Sequence, residues 1–210
     1  MEFQTRIAVA RKIIEDFPRE ICCKDPFRVL IGTVLSQRAK DEQTELAEKL
    51  LFERYSTPQA LAQARESQIY PLIKNSGMYR QKAKRIIEIA QILMNDYQGI
   101  VPSHLDRLLC LPGVGRKTAN IVLYVCFGIP ALAVDTHVHR IANRLGWLQT
   151  KTPEQTEMRL KPLVPETLWG PLNGSMVNFG KAVCKPIKPL CQICAFSDPC
   201  PSSILQKKRP

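Results

Sequence analysis

The stretch of sequence that decides the fold is LPGVG, at residues 111–115. Helical patterns flank it over Ser103–Leu109 and Arg116–Phe127, and a Ser103/Asp106 pair suits the start of the first helix. Two glycines one residue apart allow a sharp turn and let backbone N–H groups approach a ligand closely. The second helix adds the positive end of its dipole, which favours binding of a phosphate. An ordinary glycine turn between two helices is the alternative.

The residues around this turn and the charge of the whole chain favour phosphate binding over the ordinary turn. Arg116, Lys117 and Thr118 follow the turn directly and supply further donors. The 210 residues include 30 Lys and Arg against 19 Asp and Glu, which gives a net charge of +11. Nucleic acid is the commonest partner of such a basic surface.

The remaining sequence is also helical in pattern. Asp25-Pro26, Thr57-Pro58 and Thr152-Pro153 each place a capping side chain before a proline at the first helical position. Apolar residues recur at helical spacing over residues 3–17 and 79–98, whereas alternating strand patterns are scarce. These patterns predict an all-α protein of about ten helices.

Eight cysteines occur in a chain for which we predict a cytoplasmic location. No apolar run approaches the ~20 residues that span a bilayer, and the N-terminus does not resemble a secretion signal, so no membrane partner is expected. In a reducing compartment, clustered cysteines more often bind metal than form disulfides. One cluster has the spacing C-x6-C-x2-C-x5-C, which leaves zinc and an iron-sulfur cluster both open: Cys184, Cys191, Cys194 and Cys200. The others are expected to be small buried residues: Cys22, Cys23, Cys110 and Cys126.

A resemblance to a known family rests on three segments. Residues Leu111–Asn120, then Gly128–Pro130, then Val134–Val138 closely resemble the helix-hairpin-helix and Gly/Pro-rich-Asp signature of the endonuclease III family of DNA repair glycosylases. The likeness extends more loosely over most of the chain. It implies two helical lobes with a DNA cleft between them: a six-helix lobe over residues 19–129 that contains the hairpin, and a lobe of residues 1–18 and 130–210. It also implies that the four clustered cysteines bind a 4Fe-4S cluster in the second lobe.

Lys117 is the candidate nucleophile. At the first turn of a helix and beside Arg116, its ammonium form is disfavoured, and a neutral amine can attack the sugar carbon that carries a damaged base and leave an imine. A phosphate contact is an equally good interpretation of the residue by itself. In the family it resembles, a lysine at this motif position marks the members that combine glycosylase and lyase activity.

Asp135 is the second candidate catalytic residue. It precedes a helical pattern that begins at Thr136, so its first expected role is that of an N-cap. A carboxylate held by backbone donors stays ionised and can take up a proton or stabilise positive charge on the sugar. The resemblance implies that Asp135 is the family's catalytic aspartate.

Further residues are expected to contact DNA. Enzymes that act on a base within a duplex flip the nucleotide out and fill the gap with side chains. The loop Ser36–Asp41 and the turn Gly77–Tyr79 resemble the family's two gap-filling segments, although bacterial members usually have Ser-Ala-Gln where this chain has Ser-Gln-Arg. Arg38 is predicted to face the orphaned base, with Gln37 as the alternative, and Met78 is the candidate wedge. The remaining predicted contacts are Gly113, Gly115, Arg116, Thr118, Lys185 and Lys188.

The resemblance implies a monomeric, bifunctional DNA glycosylase and abasic-site lyase that removes oxidised pyrimidines from double-stranded DNA in base excision repair. In a prokaryote it would be associated with the nucleoid. One alternative is a mismatch-specific thymine or adenine glycosylase, because Asn178-Phe179-Gly180 looks like those relatives, although Lys117 argues against it. Another is a DNA-binding module that keeps hairpin and cluster but is not catalytic.

Overall fold

The computed structural model describes residues 2–20 and 25–206, and every regular element within these ranges is helical. No helix in the described ranges is both long and apolar enough to cross a membrane. The predicted all-α class is confirmed. The α-helices of the described residues are α1 Phe3–Asp16, α2 Pro26–Leu35, α3 Asp41–Arg54, α4 Pro58–Ala62, α5 Glu66–Ile73, α6 Tyr79–Tyr97, α7 Leu105–Leu109, α8 Arg116–Phe127, α9 Thr136–Arg144, α10 Pro153–Leu160 and α11 Trp169–Ala182.

The three predicted starts with a cap followed by proline are confirmed. The side-chain oxygens of Asp25, Thr57 and Thr152 each accept a hydrogen bond from the backbone N–H three residues further on, at 3.0, 3.2 and 3.3 Å. The predicted Ser103/Asp106 cap is wrong. Because His104 is extended (φ −125°, ψ 135°), α7 begins only at Leu105, and the His104 side chain makes no capping bond.

The chain forms two compact units. In the unit that ends at Ile129, α4 and α5 pack on α6, and α2 packs on α8. Its fully buried side chains include Leu30, Ile31, Leu35, Leu51, Ile86 and Ile89. Both α2 and α6 therefore have a fixed place in this core, which determines where the loops at their ends lie.

The other unit joins the residues up to Glu20 to those from Pro130 onward. Here α1 and α9 pack on α11. The ring of Phe179 in α11 lies 5.1 Å from the ring of Phe17 and 5.5 Å from that of Phe196, between centroids. Since Phe196 lies between Cys194 and Cys200, this contact anchors the C-terminal cysteine loop to the core.

Candidate functional site

Two buried apolar side chains of the turn at residues 111–115 anchor it to the core. Leu111 and Val114 are 2% and 6% exposed, and the N–H of Val114 donates to the carbonyl of Leu111 at 3.1 Å. Gly113 has φ +75°, a conformation that favours glycine. Gly115 is the N-cap of α8, and a Cβ atom there would meet nothing within 4 Å among the described residues. The missing side chain leaves room for a ligand at the N-terminus of α8.

Gln37, in the loop that follows α2, also supports this turn. Its Nε2 donates to the carbonyl oxygen of Gly113 at 2.9 Å. Arg85 of α6 also lies against the turn, since a Cβ atom at Gly113 would approach its Cδ to 2.8 Å. Gln37 therefore holds the hairpin, a role that the sequence did not indicate.

The three residues after the turn differ in exposure. Arg116 and Lys117 are half-buried in the first turn of α8. Thr118 is only 3% exposed, so its hydroxyl is not on the surface, and the predicted contact of Thr118 with DNA would have to use its backbone N–H. The burial of Thr118 could have been predicted from the sequence, because Thr118 lies one helical turn before the buried Val122 and so shares its inward face.

Asp135 caps α9, as predicted. Its Oδ1 accepts hydrogen bonds from the backbone N–H of His137 at 2.8 Å and of Val138 at 2.9 Å. Both bonds use the same oxygen, so the cap does not require Oδ2. The side chain is half-buried, which is compatible with a second role for the carboxylate.

The two segments predicted to fill the gap lie next to each other in one unit. Arg38 and Met78 are both exposed, and both have left-handed backbones, with φ of +52° and +48°. A Cβ atom at Gly77 would lie 3.6 Å from the carbonyl oxygen of Arg38. The two loops are therefore in contact, and each presents its side chain to solvent.

The four clustered cysteines line one cavity, together with Phe179, Leu190 and other residues. All four are free thiols. Burial raises the pKa of the Cys194 and Cys200 thiols, and the neighbouring cysteines add to that rise. Lys185 and Lys188 are exposed in the loop that leads from Cys184 to Cys191.

The other cysteines only partly follow the expectation of burial. Cys110 is exposed at the end of α7, where its Sγ donates to the carbonyl of Asp106 at 3.2 Å, so that prediction is wrong. Cys110 is the C-cap of α7, directly before the turn, and this position faces solvent. Cys126 is half-buried, and Cys22 and Cys23 lie outside the described residues.

A protein-family model described as "HhH-GPD superfamily base excision DNA repair protein" matches residues 31–166, more than half of the chain. The chain belongs to the HhH-GPD superfamily. Family membership confirms the prediction of a base-excision DNA-repair enzyme.

Three relatives show how far the likeness of this HhH-GPD chain extends. Endonuclease III of Thermotoga maritima is 64% identical over 192 residues, which cover 91% of this chain and 90% of that protein. A solved non-covalent endonuclease III–DNA complex superposes with a TM-score of 0.92 at 33% identity and covers all of both chains. A trapped endonuclease III–DNA covalent intermediate gives 0.91 at 34% identity, over 99% of this chain and all of that one. The resemblance to the endonuclease III family is confirmed.

Two polar side chains of the HhH-GPD fold were missed by the sequence analysis. Lys82 of α6 is 2% exposed, and burial lowers its pKa to about 8. It lies one turn before Ile86 on the apolar stripe of α6, and a lysine on a core stripe indicates a buried, paired ammonium group. Arg144, at the end of α9, donates to the carbonyls of Lys185 at 2.6 Å and Pro186 at 2.7 Å. Arg144 thereby fixes the loop that carries the exposed lysines.

Proposed function

We propose that this HhH-GPD protein is a bifunctional DNA glycosylase and abasic-site lyase that removes oxidised pyrimidines from duplex DNA. The observation that carries the proposal is the position of Lys117 in the first turn of α8, directly after a glycine turn with open space at the helix N-terminus. A phosphate bound at that turn would bring the sugar-phosphate backbone to the amine. Action as a monomer in the cytoplasm stays a prediction.

Lys117 supplies the nucleophile in the proposed reaction. Its neutral amine attacks the sugar carbon that carries the damaged base, and the base leaves with the electrons of the broken bond. The ring then opens to an imine between lysine and sugar. Loss of a proton next to the imine expels the 3′ phosphate by β-elimination, and water releases the enzyme. The same covalent intermediate thus serves both base removal and strand cleavage.

Asp135 stabilises the positive charge that develops on the sugar, or takes up a proton there. The cap on α9 holds the carboxylate in place before the reaction starts, because Oδ1 already accepts two backbone bonds. A preorganised charge needs no rearrangement when the transition state forms, which is why such groups have large effects on rate.

The proposed DNA contacts fall into two classes. The hairpin with Gly113 and Gly115, the side chain of Arg116, and the exposed Lys185 and Lys188 bind phosphates. Arg38 and Met78 fill the gap left by the flipped nucleotide. The exposure of both side chains at touching loops supports that role, and the bond from Gln37 to the hairpin favours Arg38 over Gln37 as the residue that faces the orphaned base.

The mismatch-specific alternative has little support in the structure. It rested on Asn178-Phe179-Gly180, but Phe179 is a core side chain and Nδ2 of Asn178 donates to the carbonyl of Pro18 at 2.8 Å. These residues are therefore explained by packing. The non-catalytic alternative would make Lys117 a phosphate contact only. We disfavour it because, in the family that this chain resembles, a lysine at this motif position marks the members that combine glycosylase and lyase activity.

A panel of duplexes that each contain one defined lesion tests the proposed substrate class. We expect base release and strand cleavage with oxidised pyrimidines, and no comparable release of thymine or adenine from mismatches. Release from mismatches alone would replace the proposed function with the mismatch-specific one, and release from neither with tight DNA binding would favour the non-catalytic module. The measurement is product formation under single-turnover conditions with 5′-labelled strands.

The phosphate contacts predict a steep dependence of DNA binding on salt. The logarithm of the association constant should fall linearly with the logarithm of salt concentration, by about 0.9 per phosphate neutralised. Lys185→Ala and Lys188→Ala should each make the slope shallower by about one. Lys12→Ala is the control. Because Nζ of Lys12 already lies 2.7 Å from Oδ1 of Asp16, this variant should leave the slope unchanged. A flat dependence for the wild type would show that the +11 charge serves another purpose.

The cysteine cavity fits a 4Fe-4S cluster, which the family resemblance implies. The four cysteines line one cavity, and none of them is in a disulfide. Four thiolates are a donor set for a 4Fe-4S cluster as well as for one zinc ion, and the family resemblance favours the cluster. Cys184, Cys191, Cys194 and Cys200 would hold the cluster, which when bound would tie the loop together by iron-sulfur bonds. Two functional lobes, over residues 19–129 and over 1–18 with 130–210, stay a proposal. Their bounds differ by two residues from those of the compact units.

Metal analysis tests the cluster. We expect brown protein with about four irons per chain. Cys194→Ser should lose iron and weaken DNA binding, because the loop that carries Lys185 and Lys188 is no longer tied, while Cys110→Ser, at an exposed cysteine outside the cavity, should change neither. A colourless protein with one stoichiometric zinc would contradict the cluster. Unchanged DNA affinity in Cys194→Ser would show that the loop does not contribute to binding.

A further inference from the structure

The buried ammonium group of Lys82 binds the backbone at the start of both proposed gap-filling loops. Nζ of Lys82 donates to the carbonyl of Leu35 at 2.6 Å and also to the carbonyl of Ser76. Leu35 is the last residue of α2, directly before the loop with Arg38, and Ser76 ends the short 3₁₀ helix directly before the turn with Met78. A single side chain therefore binds the residue that precedes each loop.

The backbone of these loops needs to be held. Arg38 and Met78 both have the left-handed backbone conformation that residues other than glycine rarely adopt. Such strain persists only where the surrounding structure enforces it. The two carbonyls bound by Lys82 lie three residues before Arg38 and two before Met78. Lys82 is itself fixed by the core, since it is 2% exposed on the inward face of α6. Its bonds can thus transmit the rigidity of α6 to both loops.

We propose that Lys82 is a positioning residue for base extrusion, which clamps the Arg38 and Met78 loops in the arrangement that fills the space left by a flipped nucleotide. The inference rests on the proposed function and gives Lys82 no contact with DNA or with the reacting sugar. Misplacement of the reacting groups by about 1 Å can lower a rate about 100-fold. Loss of the clamp should therefore slow the reaction wherever a gap must be filled. A single-stranded substrate has no such gap.

Cleavage of a preformed abasic site in duplex and in single-stranded DNA tests whether Lys82 affects the rate only where a gap must be filled. The substrates are a duplex with one abasic site and the same abasic strand without its complement. Lys82→Met should lower the single-turnover rate on the duplex by about 10- to 100-fold and leave the rate on the single strand unchanged. Lys84→Met is the matched control, since Lys84 is an exposed lysine of the same helix, and it should affect neither rate.

A mutant cycle tests whether Lys82 acts through the two loops. In an Arg38→Ala/Met78→Ala background, Lys82→Met should cause no further loss on the duplex. Equal losses of rate on both substrates, or an additive loss in that background, would overturn the inference. Should thermal melting show that Lys82→Met does not fold, Lys82→Gln is compared on the same substrates, because its side chain is one bond shorter and uncharged and should weaken the clamp.

The remaining outcomes also decide the question. An unchanged ratio of the two rates in Lys82→Gln, or failure of both variants to fold, would assign Lys82 to the core alone and overturn the inference. Wild-type protein that cleaves neither substrate would instead refute the proposed function, and with it the basis for assigning Lys82 a role in that function. The two failures are therefore distinguishable.

Discussion

Lys117→Gln is expected to abolish both strand cleavage at abasic DNA and the covalent adduct that borohydride traps, while DNA binding survives. Glutamine keeps a polar side chain of similar length in the first turn of α8, so the hairpin that surrounds it should keep its conformation. The amide nitrogen is not nucleophilic and cannot form an imine. The measurements are product formation, adduct yield on denaturing gels and affinity for duplex DNA.

Lys49→Gln is the matched control for this variant, because it makes the same chemical change at an exposed lysine of α3. It should cleave and trap like the wild type. Cleavage through a trapped adduct in Lys117→Gln would mean that the nucleophile lies elsewhere. Loss of binding together with activity would favour a phosphate contact as the role of Lys117.

Asp135→Asn is expected to slow base removal by about 10²- to 10³-fold, the range for losing one preorganised electrostatic group. The asparagine oxygen can still accept from the N–H groups of His137 and Val138, and asparagine caps helices about as well as aspartate. The free energy of unfolding should therefore change by less than about 1 kcal/mol. Single-turnover base release and chemical denaturation measure the two quantities.

Asp25→Asn provides the comparison, because Asp25 also caps a helix by accepting from a backbone N–H. This variant should leave both the rate of base removal and the stability nearly unchanged. If Asp135→Asn instead loses stability but keeps its rate per folded molecule, Asp135 is only a helix cap and its proposed role in catalysis is wrong.

Features of the fold that depend on neighbouring residues could be predicted from the sequence. The caps at Asp25, Thr57 and Thr152 each use a donor three residues away, and the turn at Gly113 requires a backbone conformation that glycine favours. Such local chemistry is visible in a short window of sequence. The hairpin and the cap at Asp135 were therefore predictable before any coordinates.

Contacts between distant parts of the chain could not be predicted in the same way. The acceptor of the Gln37 amide is Gly113, 76 residues away, and one acceptor of Lys82 is Leu35, 47 residues away. A side chain that bonds to a remote backbone carbonyl leaves no spacing signal at either end. The periodicity of α6 could at most have marked Lys82 as buried, without showing what it holds.

The measurement that tests the central claim most directly is the identification of the trapped residue in the wild-type protein. The protein is incubated with a duplex that contains one abasic site, reduced with borohydride, digested with a protease and analysed by tandem mass spectrometry. The account predicts that the sugar remnant is attached to Nζ of Lys117. A remnant on another lysine or on the N-terminal amine, or no adduct at all, would contradict it.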